Sequence, residues 1–208
     1  MGFLRNLFGK KQPEATPVAA ELPTGAANPF TTEAAHQAGR LQFQCPTCSN
    51  TTSAALQQID PIIGVNVACP SCKNICHVPG RTKTEPNAPD LKITGSVRVP
   101  IARYADWYYG HPYVKSLIRS SQSDLLFDYG LWAFCSACYH QFPATVLWGL
   151  ASAQRAGGFV FNARTPDSAK DMQTLTAGHC SHCRNKELLV VVAEVPDYVR
   201  EVILSKRK

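Results

Sequence analysis

Eight of the nine cysteines in this 208-residue chain fall into four C-x-x-C pairs: Cys45/Cys48, Cys69/Cys72, Cys135/Cys138 and Cys180/Cys183. Only Cys76 is left over. A turn with this spacing can aim two sulfurs at one ion, and two such turns brought together give the four-sulfur tetrahedral site typical of structural zinc. The N-terminus lacks the apolar core and cleavage site of a secretory signal, so a cytoplasmic location is expected. Thiols there are kept reduced, which favours ligation over disulfides.

Twenty residues separate Cys48 from Cys69, and 41 separate Cys138 from Cys180. The first interval matches the common zinc spacing. The second leaves room for a packed excursion containing a helix and a strand. Four pairs can combine in three ways. Sequential pairing closes the shortest loops and is favoured over the others by roughly 1 kcal/mol each. The expectation is two structural Zn2+, one on Cys45, Cys48, Cys69 and Cys72, the other on Cys135, Cys138, Cys180 and Cys183.

The formal net charge of +6 invites an acidic partner. Eight thiolates around two zinc ions reduce it to about +2. Global charge then gives no reason to favour nucleic acid.

Residues 1–11 place Phe3, Leu4, Leu7 and Phe8 on one helical face, with Arg5, Lys10 and Lys11 as cations. Short apolar-and-basic helices of this kind lie on anionic membrane surfaces. Phe3, Leu4, Leu7, Phe8, Lys10 and Lys11 are therefore membrane-contact candidates, at the inner face of the membrane. Residues 12–40 read as a flexible linker, rich in proline and alanine and without hydrophobic periodicity apart from one short helical stretch over 30–39.

Residues 41–80 form the first cysteine module, in which "LQFQC" and "VNVAC" alternate into their knuckles as strands do, with "DPIIG" as the reversal between them. A connecting region, 81–130, begins with a polar, proline-containing loop. Two helices are expected in it, one from Pro100 to Gly110 and one in "HPYVKSLIRSS", with Tyr113, Leu117 and Ile118 on one face. The second module, 131–208, holds a helix between Pro143 and Gly157, a strand at "GFVFN", a β-branched strand "ELLVVVAEV" and a C-terminal helix with a basic end. The fold class is α+β: two four-cysteine zinc ribbons of short antiparallel strands with helical insertions and a flexible N-terminal linker.

"CPTC" followed by "VACPSCKNICHVPG" resembles small bacterial zinc-ribbon domains whose knuckles read C-P-x-C. The resemblance covers about residues 41–80 and implies a ribbon binding zinc through Cys45, Cys48, Cys69 and Cys72. Ser49 and Lys73 stand where such knuckles often carry glycine, a departure that argues against iron of the rubredoxin kind. Zinc ribbons serve DNA, RNA, protein and enzyme scaffolds alike, so the resemblance implies a fold element more than a function.

Complete four-sulfur spheres leave no position for the exchangeable water that catalytic zinc needs. His179 and His182 are then surplus, with His182 expected on the knuckle turn as an exposed group or one that supports the ligands from behind, and not as a ligand. Cys76, with His77 beside it, offers a fifth sulfur for the first site or a redox-sensitive thiol, but the favoured reading is a small core residue on the strand after the knuckle. The leading expectation is a non-enzymatic interaction or scaffold protein with a protein partner, a peripheral membrane contact and no catalysis. Thiol redox activity is the enzymatic alternative. Nucleic-acid binding is the other, through Arg98, Arg103, Trp107, Lys115 and Arg119, where cations interleave with aromatics. Helical spacing of Tyr104, Trp107 and Tyr108 points instead to a packed face.

Overall fold

The structure is a computed structural model that describes residues 39–85, 91–157 and 165–206. The N-terminal membrane-contact candidates, the linker and its expected helix up to residue 38, and the "GFVFN" strand lie outside the described residues.

The first module holds two small antiparallel sheets. Strands β1 (Arg40–Gln44) and β2 (Thr51–Ala55) pair with Phe43 opposite Thr52 and Leu41 opposite Ala54. Leu41 and Phe43 point inward while Arg40, Gln42 and Gln44 stay exposed, the alternation the sequence displays. Strands β3 (Val65–Ala68) and β4 (Ile75–Val78) pair in the same manner, and β5 (Thr94–Gly95) adds to the free side of β4. Gly64 closes the reversal before β3 with φ +74°, and a Cβ there would overlap the Val78 carbonyl.

The second module is a four-stranded antiparallel sheet in the order β6 (Val97–Pro100), β9 (Glu187–Val192), β7 (Leu131–Cys135), β8 (Gln141–Phe142). Helices α1 (Tyr104–Gly110), α2 (Pro112–Arg119), α3 (Ser123–Tyr129), α4 (Ala144–Ala156) and α5 (Pro166–Thr176) follow or interrupt its strands. A last helix, α6, spans Asp197–Lys206.

Strand β9 explains why its sequence is almost unbroken valine and leucine. Leu188 and Val190 face a core shared with α1, α4 and α5, whereas Leu189 and Val191, with Phe134 of β7, pack against Ile75 of the first module. A strand covered on both sides needs apolar residues at every position. Helix α4 ends at Gly157 with φ +68°, the left-handed cap its sequence promises. Gln154 ties it to α1, its Oε1 accepting from the Ala105 amide at 2.8 Å and its Nε2 donating to the Ile101 carbonyl at 2.7 Å. On α2 the fully buried positions are Val114 and Leu117, with Tyr113 and Ile118 half-buried beside them.

Candidate metal centres

Each C-x-x-C segment folds into the same turn. The amide of the first cysteine donates to the carbonyl five residues on: Cys45 to Asn50, Cys69 to Asn74, Cys135 to His140, Cys180 to Asn185. In return, the residue after the second cysteine donates its amide to the first cysteine's carbonyl, from Ser49, Lys73, Tyr139 and Arg184. Those four residues all adopt left-handed backbone, with φ between 58° and 62°. The turn aims both sulfurs to the same side and leaves amides facing them. The amides of Ala137 and His182 point at Cys135 Sγ and Cys180 Sγ, at 3.5 and 3.4 Å.

Two knuckles meet at each site, in sequential pairing. Cys45, Cys48, Cys69 and Cys72 bring their sulfurs within 4.8 Å of one another, and so do Cys135, Cys138, Cys180 and Cys183. The closest cross-knuckle approaches are 3.6 Å for Cys45–Cys72, 3.7 Å for Cys48–Cys69, 3.3 Å for Cys135–Cys183 and 3.7 Å for Cys138–Cys180. A disulfide needs about 2.05 Å. Four sulfurs around one ion at about 2.3 Å lie about 3.8 Å apart, so these separations fit a tetrahedral ion and not disulfides. The residues present suit a thiophilic d-block ion, which would neutralise part of the charge of four thiolates.

Electrostatics within the knuckles is uneven. Burial opposes ionisation of Cys69, but the amides of Cys72 and Ser71 and the Thr52 hydroxyl outweigh it and bring the thiol down to about 6. Burial likewise opposes Cys135, and the Cys138 and Ala137 amides bring it to about 7. Cys72 and Cys138 are pushed up to about 12, first by burial and then by neighbouring cysteines. A first thiolate is thus available at each site near neutrality, and a bound cation supplies the charge that the remaining thiols need to ionise.

Two groups beside the sulfurs escape sequence reasoning. The Thr52 hydroxyl donates to Cys69 Sγ at 3.4 Å. The Asn185 amide donates to Ser136 Oγ at 2.7 Å and the Glu187 carbonyl at 3.0 Å, and reaches Cys135 Sγ at 3.8 Å. A readable signal exists for the second: asparagine stands two positions after the second cysteine in three of the four knuckles.

Cys76 is fully buried on β4 with its sulfur 3.7 Å from Cys45 Sγ, and burial holds it protonated, its pKa pushed far up. His77 is buried as well, stacked on Trp132 with centroids 4.1 Å apart, its Nδ1 3.1 Å from Asn66 Oδ1. His179 sits beside the Cys180 carbonyl, and the exposed ring of His182 stacks on His140.

The cationic and aromatic candidates of 98–119 do not converge on one another as a groove. Tyr104 and Tyr108 are buried in the main core and Trp107 packs against it half-buried. Arg98 pairs with Glu187 at 2.7 Å and Arg103 with Asp106 at 3.3 Å, while Lys115 and Arg119 are exposed on α2. No helix among the described residues is long and apolar enough to cross a membrane.

Comparison of the chain with protein-family models, with curated proteins and with solved structures found no match. The class that fold and sites define is an α+β protein with two four-cysteine clusters competent to bind metal.

Proposed function

We propose that this is a zinc-stapled, non-enzymatic interaction protein whose two structural Zn2+ hold the modules in shape for a protein partner. The carrying observation is the closure of both sulfur clusters: four thiols within 4.8 Å leave an ion no protein-free position for a substrate. The ribbon-like reading of residues 41–80 rests on the two C-P-x-C knuckles and their paired strands.

Between the modules lies a cavity of about 380 Å³ lined by Pro46, Ile63, His77, Val97, Tyr129 and Tyr198 among others. Ile63 and Val97 are exposed at its rim, 41% and 43% respectively, and Lys92 and Glu194 flank it with opposite charges. An apolar cleft with one charge of each sign suits a peptide segment better than a polyanion. The pairing of Arg98 and Arg103 with carboxylates and the burial of the tyrosines also favour a protein partner over nucleic acid. The apolar-and-basic pattern of residues 1–11 supports an added, weak contact with anionic membrane.

Pull-down from native extract with full-length protein, a Δ1–11 form and an Ile63→Asp/Val97→Asp form tests this, with protein, nucleic acid and lipid scored together. The reading expects a protein captured by the first two forms and lost with the third. Submicromolar DNA or RNA binding near physiological salt, weakened by Arg103→Ala or Trp107→Ala, would replace it with the nucleic-acid reading.

A further inference from the structure

A second kind of ligand set stands on the outer side of the Cys135/Cys138/Cys180/Cys183 cluster. His140 follows one knuckle, His182 lies between the two cysteines of the other, and Asp171 reaches them from α5. One ligand atom from each lies within 4.8 Å of the other two. His140 Nε2 is 3.0 Å from Asp171 Oδ2, and the His140 and His182 rings stack with centroids 3.9 Å apart and planes 24° apart.

Asp171 is the unusual member, with only 5% of its side chain exposed. A carboxylate removed from water requires a cation or several donors. Here its side-chain partners are His140 and the hydroxyl of Ser181, which donates to Oδ1; among the described residues no lysine or arginine pairs with it. Cis ligands on an octahedral ion at about 2.1 Å lie about 3.0 Å apart, the His140–Asp171 separation, whereas on a tetrahedral ion they would lie about 3.4 Å apart. A simple His–Asp hydrogen bond would have that length too, but it would give no reason for a second imidazole at the same point. Ser181 on the far carboxylate oxygen is the kind of outer hydrogen bond that orients a metal-binding carboxylate.

We propose that His140, Asp171 and His182 form a third metal site, taking a divalent transition ion such as zinc or cobalt through two imidazoles and one carboxylate. This donor set suits such ions and is poor for calcium or magnesium. It differs from the sulfur sites in one chemical respect. Three protein ligands leave at least one position open to water or to a side chain of a bound partner, so this ion exchanges where the four-sulfur ions do not. The His182 ring is exposed on its other face, where water can reach the site. The inference is independent of whether the protein has the partner proposed above.

The test uses the full chain, zinc-loaded and passed over a weak chelator, then titrated with Co2+ alone by calorimetry and visible absorption. The expected result is one further equivalent per chain with weak ligand-field bands and no thiolate charge-transfer band. His182→Ala and, separately, His140→Gln lower that affinity tenfold or more while both tightly held zinc ions and the melting temperature of His182→Ala are retained. Absence of a further equivalent at millimolar Co2+, binding that both variants leave unchanged, or cobalt that carries thiolate charge-transfer bands each overturns the site.

Discussion

The Tyr139 hydroxyl donates to the Lys73 carbonyl at 3.1 Å. Both residues occupy the left-handed position that closes a knuckle, one in each module. The bond thus joins the two four-cysteine clusters through their turns. Beside it, His77 stacks on Trp132, and Ile75 packs with Phe134, Leu189 and Val191. Ser96 completes the seam, its amide donating to the Ile75 carbonyl and its hydroxyl accepting from the Ile75 amide.

The seam predicts that the modules unfold as one cooperative unit. Trp132→Ala, which removes a half-buried ring, should lower stability by about 2 kcal/mol, and Tyr139→Phe by about 0.5–1 kcal/mol. Urea denaturation of the zinc-loaded protein measures both. Separate transitions in the wild type, or no loss in Trp132→Ala, would contradict the docking described.

The four left-handed residues predict a stabilising substitution. A residue with a Cβ gives up about 1–2 kcal/mol in this conformation, partly offset by glycine's greater chain entropy. Ser49→Gly and Arg184→Gly should each add about 0.5–1 kcal/mol, or roughly 1–4 °C in melting temperature. Ser49→Ala should not. Equal melting temperatures for the glycine and alanine forms would refute the backbone argument.

His77 predicts a pH dependence. Burial lowers its pKa from 6.5 to about 3, so the folded protein keeps it neutral where the unfolded chain protonates. Its stability contribution is complete above about pH 6.5 and declines as pH falls toward 3, by at most about 1.4 kcal/mol per pH unit. Denaturation of wild type and His77→Gln at pH 7.5, 6.5 and 5.5, with zinc held in excess, should show the wild type losing its advantage on acidification. A constant difference across that range would exclude a buried neutral imidazole.

Much of this architecture is legible because metal ligation and strand alternation are local signals. The spacing of the cysteine pairs announces the pairing of knuckles, and "LQFQC", "VNVAC" and "ELLVVV" announce β1, β3 and β9. Pro143 and Gly157 bracket α4 as written. Strands β5 and β6 escape because "TG" and "VRVP" are too short for a period to register, and they exist by pairing with β4 and β9. Helix α3 hides in a run that reads as a lead-in to Cys135. Helix α5 has a weak apolar stripe, Met172 and Leu175, although Thr165 caps it through the Ser168 amide and Pro166 opens it, signals that sequence alone carries. The cluster around Asp171 was not legible, since it lies 31 positions from His140 and only the packing of α5 against the knuckles brings them together.

Loss of one sulfur should separate ligands from bystanders. Cys69→Ser removes a ligand and should cost the first site its ion and its fold, because metal-binding energy is folding energy in such modules. Cys76→Ala should retain both tightly held ions, since the 3.7 Å approach to Cys45 Sγ is packing beside the site. Metal content and circular dichroism check the pair; loss of an ion from Cys76→Ala would make it a ligand.

We propose that two closed four-sulfur zinc sites organise the chain. X-ray absorption at the zinc edge, with metal quantified per chain after passage over a weak chelator, tests it most directly. Two zinc ions are expected, each with four sulfur neighbours at about 2.3 Å and no nitrogen or oxygen. One zinc per chain, iron in place of zinc, or a nitrogen neighbour in the first shell of the retained ions would contradict it.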